Sequence, residues 1–460
     1  MIQLNEVAFS FHDHSVFKSL TFTFEAGVGY LLEGKNGSGK SILLKLLAGK
    51  IQPRKGEVHY SFIDDSLDWQ QKYDLRKKYV HYIPASALHE LIHTPDMYYQ
   101  QRYYTIESTT LPTVRDYLGE RLHEVAQLQL PDSFQLNHLL DLELTHLSNG
   151  QVKKLIILKQ LLDSIPKILL MDYPFEGLDV QSRIALRDFL DHLVAIHHIQ
   201  LIIADHDHPQ LPQAITKKCV ITDHEVLKMD YTVDSKPTFA LEEHHTIPEI
   251  PLKQPVVEMH NVKIQYGDKV ILQHLNWQIN RGERWALTGR NGSGKTTLFS
   301  LIFADHPMVY SEKVYLFGKR RGTGESIWDI KKRISYLGPE QGHFLDHVTG
   351  QLTTREYMEK FTIKTERLIE LVNYFQIQDL LSKKLKHLSS GQLQLILLIA
   401  LFLSQRELLL LDEPFQFLDP YHKMRVSNYL ESHMDESVTL VLITHYDSDV
   451  EKWTNHRMRL

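Results

Sequence analysis

The sequence predicts an α/β chain built from two tandem copies of one domain, and three observations carry that prediction. First, "LLEGKNGSGKSILLKLL" (31–47) returns as "ALTGRNGSGKTTLFSLI" (286–302), an internal repeat of domain length. Second, short apolar runs suited to strands buried on both faces recur in both halves: "VGYLLE" (28–33), "KILLMD" (167–172) and "QLIIAD" (200–205), then "RWALTG" (284–289), "ELLLLD" (407–412) and "TLVLIT" (439–444). Third, in each half a glycine-rich turn stands between an apolar run and a helical pattern, "SILLKLLA" or "TTLFSLIF". Alternating strand and helix implies an α/β core with its working loops at strand ends.

The repeat also gives the domain plan. Lys295 lies 255 residues after Lys40, Ser389 241 after Ser148, Asp412 240 after Asp172, and His445 239 after His206. The drop from 255 to 241 places about fourteen extra residues in the first half, assigned to "DMYYQQRYYTIESTT" (96–110). Residues 1–229 are expected to form the first domain and 256–460 the second. Between them, 230–255 holds four prolines and no apolar period, and reads as a linker.

Composition narrows the class. Of 460 residues, 43 % are hydrophobic, enough for two ordinary cores. A net charge of −6 carries no strong nucleic-acid signal. One cysteine, Cys219, excludes a disulfide framework and a cysteine-built metal site, fits a reducing compartment, and reads as a strand residue. The opening "MIQLNEVAFSFHDHS" has no basic region followed by an apolar core, so no signal peptide is expected. The longest apolar runs, "LILLIALFL" (395–403) and "LLLL" (408–411), fall short of the ~20 residues that span a bilayer. A cytoplasmic protein is expected, attached to the inner face of the cell membrane, if at all, through a partner.

The candidate chemistry starts with the two glycine-rich turns. Gly34, Asn36, Gly37, Gly39, Lys40 and Ser41 form one phosphate loop; Gly289, Asn291, Gly292, Gly294, Lys295 and Thr296 form the other. Glycines let backbone N–H groups wrap phosphates, the lysine reaches the β and γ groups, and the hydroxyl of Ser41 or Thr296 binds Mg²⁺. The dipole of the following helix adds to the attraction. Asp172 and Asp412 end apolar strands, where an acid can hold Mg²⁺ through water. Ser148 and Gly150 in "LSNGQ", and Ser389 and Gly391 in "LSSGQ", precede helical stretches and read either as helix caps or as anion donors. His206 and His445 follow the next apolar strand of each half.

Together these motifs resemble those of the ATP-binding cassette (ABC) ATPases over nearly the whole chain. The pentapeptides are similar to that family's LSGGQ signature, and His206 and His445 to its switch histidine. The resemblance implies two P-loop domains, each with a RecA-like core, a β subdomain and a helical subdomain, binding ATP and Mg²⁺. It further implies that one nucleotide site joins Lys40, Ser41, Asp172 and His206 to Ser389 and Gly391. The other joins Lys295, Thr296, Asp412, Glu413 and His445 to Ser148 and Gly150. One chain then supplies both sites, and a monomer is expected. The family's adenine-stacking aromatic aligns with Phe11 and Tyr266, either of which could equally be core. Asn149 stands where the signature has a glycine. The glutamine loop is not identifiable: Ala85 and Pro339 occupy its places.

The halves differ where it matters for hydrolysis. After Asp412 comes Glu413; after Asp172 comes Tyr173. A carboxylate accepts a proton from water at neutral pH, while a tyrosine with a pKa of ~10 stays protonated. Glu413 and His445 are therefore the expected catalytic residues, with the first half mainly binding ATP.

Within the family, twin-cassette translation factors carry a long charged linker, sugar-import ATPases have the second cassette degenerate, and excision-repair ATPases need zinc cysteines. The stretches "LFGKRRGTGESIWDIKKRISYLGPE" (316–340) and "YYQQRYYTIES" (98–108) are similar to the ModF, photorepair-protein-like group of molybdenum-transport ATP-binding proteins. Two functions stay open. One is the energising subunit of a transporter with a separate transmembrane permease. The other is an ATP-driven switch acting on the ribosome or DNA.

Overall fold

The computed structural model describes residues 1–11, 14–85, 112–131, 134, 136–144, 147, 149–206, 210–222, 225–230, 252–266, 269–289, 293–303, 306–324, 326–338, 347–362, 364–433, 438–444 and 447–460. These fall into two compact units, one up to residue 230 and one from 252 onward.

In the first unit, β1 (Ile2–Phe11), β2 (His14–Phe24) and β4 (Lys55–Tyr60) form an antiparallel sheet in the order β2-β1-β4. A second sheet has the order β5-β6-β7-β3-β8-β9, with β3 (Gly29–Glu33), β5 (Val80–Ile83), β6 (Ile168–Asp172), β7 (Gln200–Ala204), β8 (Ile215–Thr222) and β9 (Glu225–Asp230). Its strands are parallel except for β9, which runs antiparallel to β8. Every residue of β6 and β7 is buried, as unbroken apolar runs require. One face packs Leu31, Leu169 and Ile203 against the helices Asn149–Asp163 and Val180–His197. The other packs Tyr30, Leu170 and Ile202 against the helix Lys40–Leu47 and the antiparallel sheet. Cys219 is buried in β8, as its apolar neighbours suggested.

The second unit repeats the plan. β10 (Leu252–Tyr266), β11 (Lys269–Arg281), β13 (Val314–Leu316) and β14 (Lys319–Arg320) form an antiparallel sheet in the order β11-β10-β13-β14. β12 (Arg284–Thr288), β15 (Ile334–Leu337), β16 (Leu408–Asp412), β17 (Thr439–Ile443) and β18 (His456–Arg459) form a parallel sheet, β15-β16-β17-β12-β18. The helix Ser390–Ser404 buries Leu393 through Leu403 on all sides, which explains why its sequence shows no polar face. Each such leucine taken from water contributes about 1.5–3 kcal/mol. No helix among the described residues is long and apolar enough to cross a membrane.

β10 begins at Leu252, inside the stretch expected to be linker. Pro255 sits opposite Asn280 of β11, while β13 pairs only with Val257, Glu258 and Met259. The proline therefore lies where β10 is an edge, the one sheet position that tolerates a missing N–H. The insert 96–110 lies outside the described residues.

Candidate nucleotide sites

Each phosphate loop leaves the C-terminal end of an inner parallel strand: β3 lies between β7 and β8, and β12 between β17 and β18. Gly39 and Gly294 cap the following helices with φ of 105° and 97°, a left-handed conformation that favours glycine. A Cβ on Gly39 would also stand 2.8 Å from Val16 and 2.9 Å from Phe17; one on Gly294 would stand 2.9 Å from Ile271. The buried Lys40 folds back and donates to the carbonyls of Gly34 (2.6 Å) and Lys35 (3.0 Å). Lys295 likewise donates to Gly289 O at 2.8 Å. Both ammonium groups are thus held over their own loops.

The two hydroxyls meet the two strand-end acids. The Ser41 side chain hydrogen-bonds the Asp172 carboxylate, and Thr296 Oγ1 lies 3.2 Å from Asp412 Oδ2. Burial pushes the Asp172 carboxyl up to about 6, opposed by Ser41, by the Lys45 and Lys40 charges, and by the Tyr82 hydroxyl. Tyr82 donates to Asp172 Oδ2 at 3.3 Å. Among the described residues Asp172 Oδ1 is buried without a hydrogen-bond partner. The same holds for the loop hydroxyls Ser38 Oγ and Ser293 Oγ. A buried orphan carboxylate oxygen beside a serine hydroxyl fits a hydrated hard cation, and orphan hydroxyls inside a glycine-rich loop fit phosphate oxygens.

Past each acid the chain makes the same turn. Tyr173 has φ 49° and Glu413 φ 50°, both left-handed. Tyr173 N donates to Ala204 O at 2.8 Å and Glu413 N to Ile443 O at 2.9 Å. The turn then closes through Glu176 N to Tyr173 O in one half and Gln416 N to Glu413 O in the other. Two different side chains therefore occupy one backbone position. The Tyr173 ring lies 5.4 Å from the His206 ring, centroid to centroid, and 5.9 Å from Lys40 Nζ. It stands among the groups expected to surround ATP.

Ser389 is the N-cap of the helix Ser390–Ser404: Oγ accepts from Gln392 N, and Gln392 Oε1 accepts from Ser389 N, a reciprocal capping box. The cap directs the hydroxyl to the helix N-terminus and leaves its proton to donate elsewhere. Gly391 is buried in the first turn. Gly150 has a packing reason to be glycine, since a Cβ there would stand 2.9 Å from Ser182. Phe11 and Tyr266 end β1 and β10 at matching hairpin tips, opposite His14 and Lys269. Their side chains, and Ser148, Asn291, Gly292 and His445, lie outside the described residues.

Sequence reasoning missed three contacts of the first half. Tyr82 bonds Asp172 from the neighbouring strand. Lys153 and Asp205 grip the Tyr173 turn. The signal for Lys153 was present: it aligns with Gln394 in the repeat, a charged residue against a neutral one.

Comparisons with known proteins agree with this geometry. A family model described as ABC transporter matches residues 17–176 and again 272–416. An uncharacterized ABC transporter ATP-binding protein of Schizosaccharomyces pombe is 28 % identical over 482 residues, covering 97 % of this chain and 94 % of that protein. The ABC transporter ATP-binding protein ModF of Escherichia coli is 28 % identical over 494 residues, covering 99 % and 96 %. Among solved structures, ribosome-bound archaeal Pelota and ABCE1 gives a TM-score of 0.62 at 19 % identity, covering 99 % of this chain and 76 % of that one. The RNase-L Inhibitor gives 0.56 at 18 %, covering 99 % and 87 %. With the family model matched twice, around both phosphate loops and both strand-end acids, the chain belongs to the ABC transporter family, as a protein with two cassettes in tandem.

Proposed function

We propose that the chain is an ATPase in which the Glu413 half hydrolyses ATP and the Tyr173 half binds it without turning it over, and that it energises a membrane transporter. The observation that carries this reading is the shared turn. Residues 173 and 413 have nearly the same φ and the same anchoring hydrogen bond, so at this backbone position the halves differ only in the side chain.

In the second half, Lys295 draws the β- and γ-phosphates onto the loop and Glu413 accepts the proton of the attacking water. Thr296 and Asp412 would hold Mg²⁺ there, and Ser41 and Asp172 in the first half. The ion supplies charge neutralisation to the phosphate oxygens. His445 is assigned a role beside Glu413, orienting the γ-phosphate. In the first half Lys40, Ser41 and Asp172 retain the means to bind, while the Tyr173 phenol stays protonated and leaves water without a base.

The transport role is supported by the names of the relatives, ModF among them; in this reading a separate permease would provide the membrane path. The test is capture of a Glu413→Gln chain held with ATP. A membrane protein recovered from detergent-solubilised membranes supports transport. Recovery with the ribosomal pellet, and none from membranes, replaces that role with a ribosome-directed switch.

A further inference from the structure

The first half holds a set of charges against the Tyr173 turn that the second half lacks. By the internal repeat, Lys153 aligns with Gln394 and Asp205 with Thr444. Lys153 projects from the helix Asn149–Asp163, and its ammonium donates to Glu176 O (2.6 Å) and Pro174 O (2.8 Å), with Tyr173 O at 3.4 Å. Asp205 follows β7 and is only 2 % exposed. Its Oδ2 accepts from Phe175 N (3.3 Å) and its Oδ1 from His206 N (2.8 Å). One carboxylate thus bridges the turn carrying Tyr173 and the loop carrying His206. One lysine holds the carbonyls of the same turn.

The pair is electrostatically coherent. Burial raises the Asp205 carboxyl to about 6, while the His206 and Phe175 amides and the Lys153 and Arg183 charges favour its ionised form. Burial lowers Lys153 to about 8, and Glu176 and Asp205 oppose that shift. In the second half the residues at these two positions are neutral, and Gln394 Nε2 donates to Pro414 O at 3.1 Å. Charged hydrogen bonds are roughly twice as strong as neutral ones. The turn that carries the tyrosine is therefore held by charged groups at two positions where the half that carries the base has neutral ones.

We propose that Lys153 and Asp205 are positioning residues that fix the Tyr173 and His206 loops to each other and so give the first half a long nucleotide dwell. The inference rests on the reading of that half as one that binds without hydrolysing. A light tie suits a loop that must move at each turnover; a charged clamp suits a loop that stays closed on its nucleotide.

The test uses the full chain with the second phosphate loop disabled by Lys295→Ala, loaded with Mg·ATP and chased with unlabelled ATP. Two quantities are read: the identity of the retained nucleotide and its release rate. Retained ATP is expected. Retained ADP overturns the reading of the first half as non-hydrolytic, whatever the release rate. Lys153→Gln with Asp205→Thr installs the second half's pair. It is expected to release nucleotide about tenfold faster, the equivalent of one or two lost hydrogen bonds, with melting temperature nearly kept. Unchanged release from that folded variant overturns the clamp. Lys153→Gln alone removes the larger of the two cationic charges that favour ionised Asp205 and should melt lower than the double variant; equal melting overturns the coupling of the two. If the double variant does not fold, Asp205→Asn keeps shape and one acceptor oxygen, and unchanged release from it refutes the proposal equally.

Discussion

Replacing Glu413 by glutamine tests the division of labour between the halves. The change keeps side-chain volume and removes only the ability to accept a proton. The backbone at 413 is held by its N–H to Ile443 O and by a left-handed φ of 50°, neither of which depends on the carboxylate. Folding and nucleotide binding should therefore be retained. Loss of a general base costs ~10²–10⁴-fold, or about 3–5 kcal/mol of barrier. The first half cannot mask that loss, because at pH 7 a phenol of pKa ~10 is only about one part in a thousand ionised. Phosphate release at saturating Mg·ATP should fall to about 1 % or less of the original rate, with binding checked by a fluorescent nucleotide. Tyr173→Phe should leave the rate within about twofold, since it removes no base. Adding Tyr173→Glu to the Glu413→Gln chain should recover part of the rate, because residue 173 enters the same turn at φ 49° with the same anchor. A Glu413→Gln chain that binds normally and still turns over within about threefold of the original refutes the assignment.

Other consequences follow from the same geometry. Thr296→Ala removes the hydroxyl 3.2 Å from Asp412 and should raise the Mg²⁺ needed for half-maximal turnover at least about tenfold, read by Mg²⁺ titration at fixed ATP. Gly294→Val sets a β-branched side chain at φ 97° against Ile271, and should abolish nucleotide binding in the second half while lowering its melting temperature. His306 is buried, and burial lowers its pKa to about 4. The unfolded chain then binds the extra proton between about pH 6.5 and 4, so its contribution is present above that window and is lost as pH falls through it. The loss is at most about 3 kcal/mol, and His306→Asn should flatten the fall in denaturation midpoint between pH 7 and 4.5.

The parallel strands were legible because burial on both faces writes them as unbroken apolar runs: "RWALTG" became Arg284–Thr288 and "ELLLLD" became Leu408–Asp412. The phosphate loops were legible because their chemistry tolerates few substitutes. The antiparallel sheets were not. β1 and β10 carry register shifts along their length, which break the period-two alternation a strand would otherwise show. The start of β10 was hidden for a different reason, a proline that an edge position tolerates. Lys153 stood out only as a charge aligned with neutral Gln394; its role was hidden because a lone lysine in a helical stretch reads as a solvated face, and only the folded chain brings three carbonyls to its ammonium. Tyr82 was unreadable because its partner Asp172 is ninety residues away.

The left-handed backbone at both 173 and 413 bears on how the two halves came to differ. A non-glycine residue at such a φ costs about 1–2 kcal/mol, and the fold tolerates it in each half through the same inter-strand hydrogen bond. The strain belongs to the turn and not to the acid. A side chain can thus be exchanged at that position with little change in stability. In this reading phosphate binding depends on other residues: Lys40 and Ser41 open one helix, Asp172 ends β6, and the Ser41–Asp172 hydrogen bond is kept with tyrosine in place. In the proposed reading binding and hydrolysis are therefore separable, because a base can be removed without disturbing the groups assigned to hold the nucleotide. Hydrolysis in the proposed reading also needs a loop free to reset, and there too the halves diverge, with neutral Gln394 bonding one turn and charged Lys153 and Asp205 the other. The missing acid and the added clamp act in the same direction.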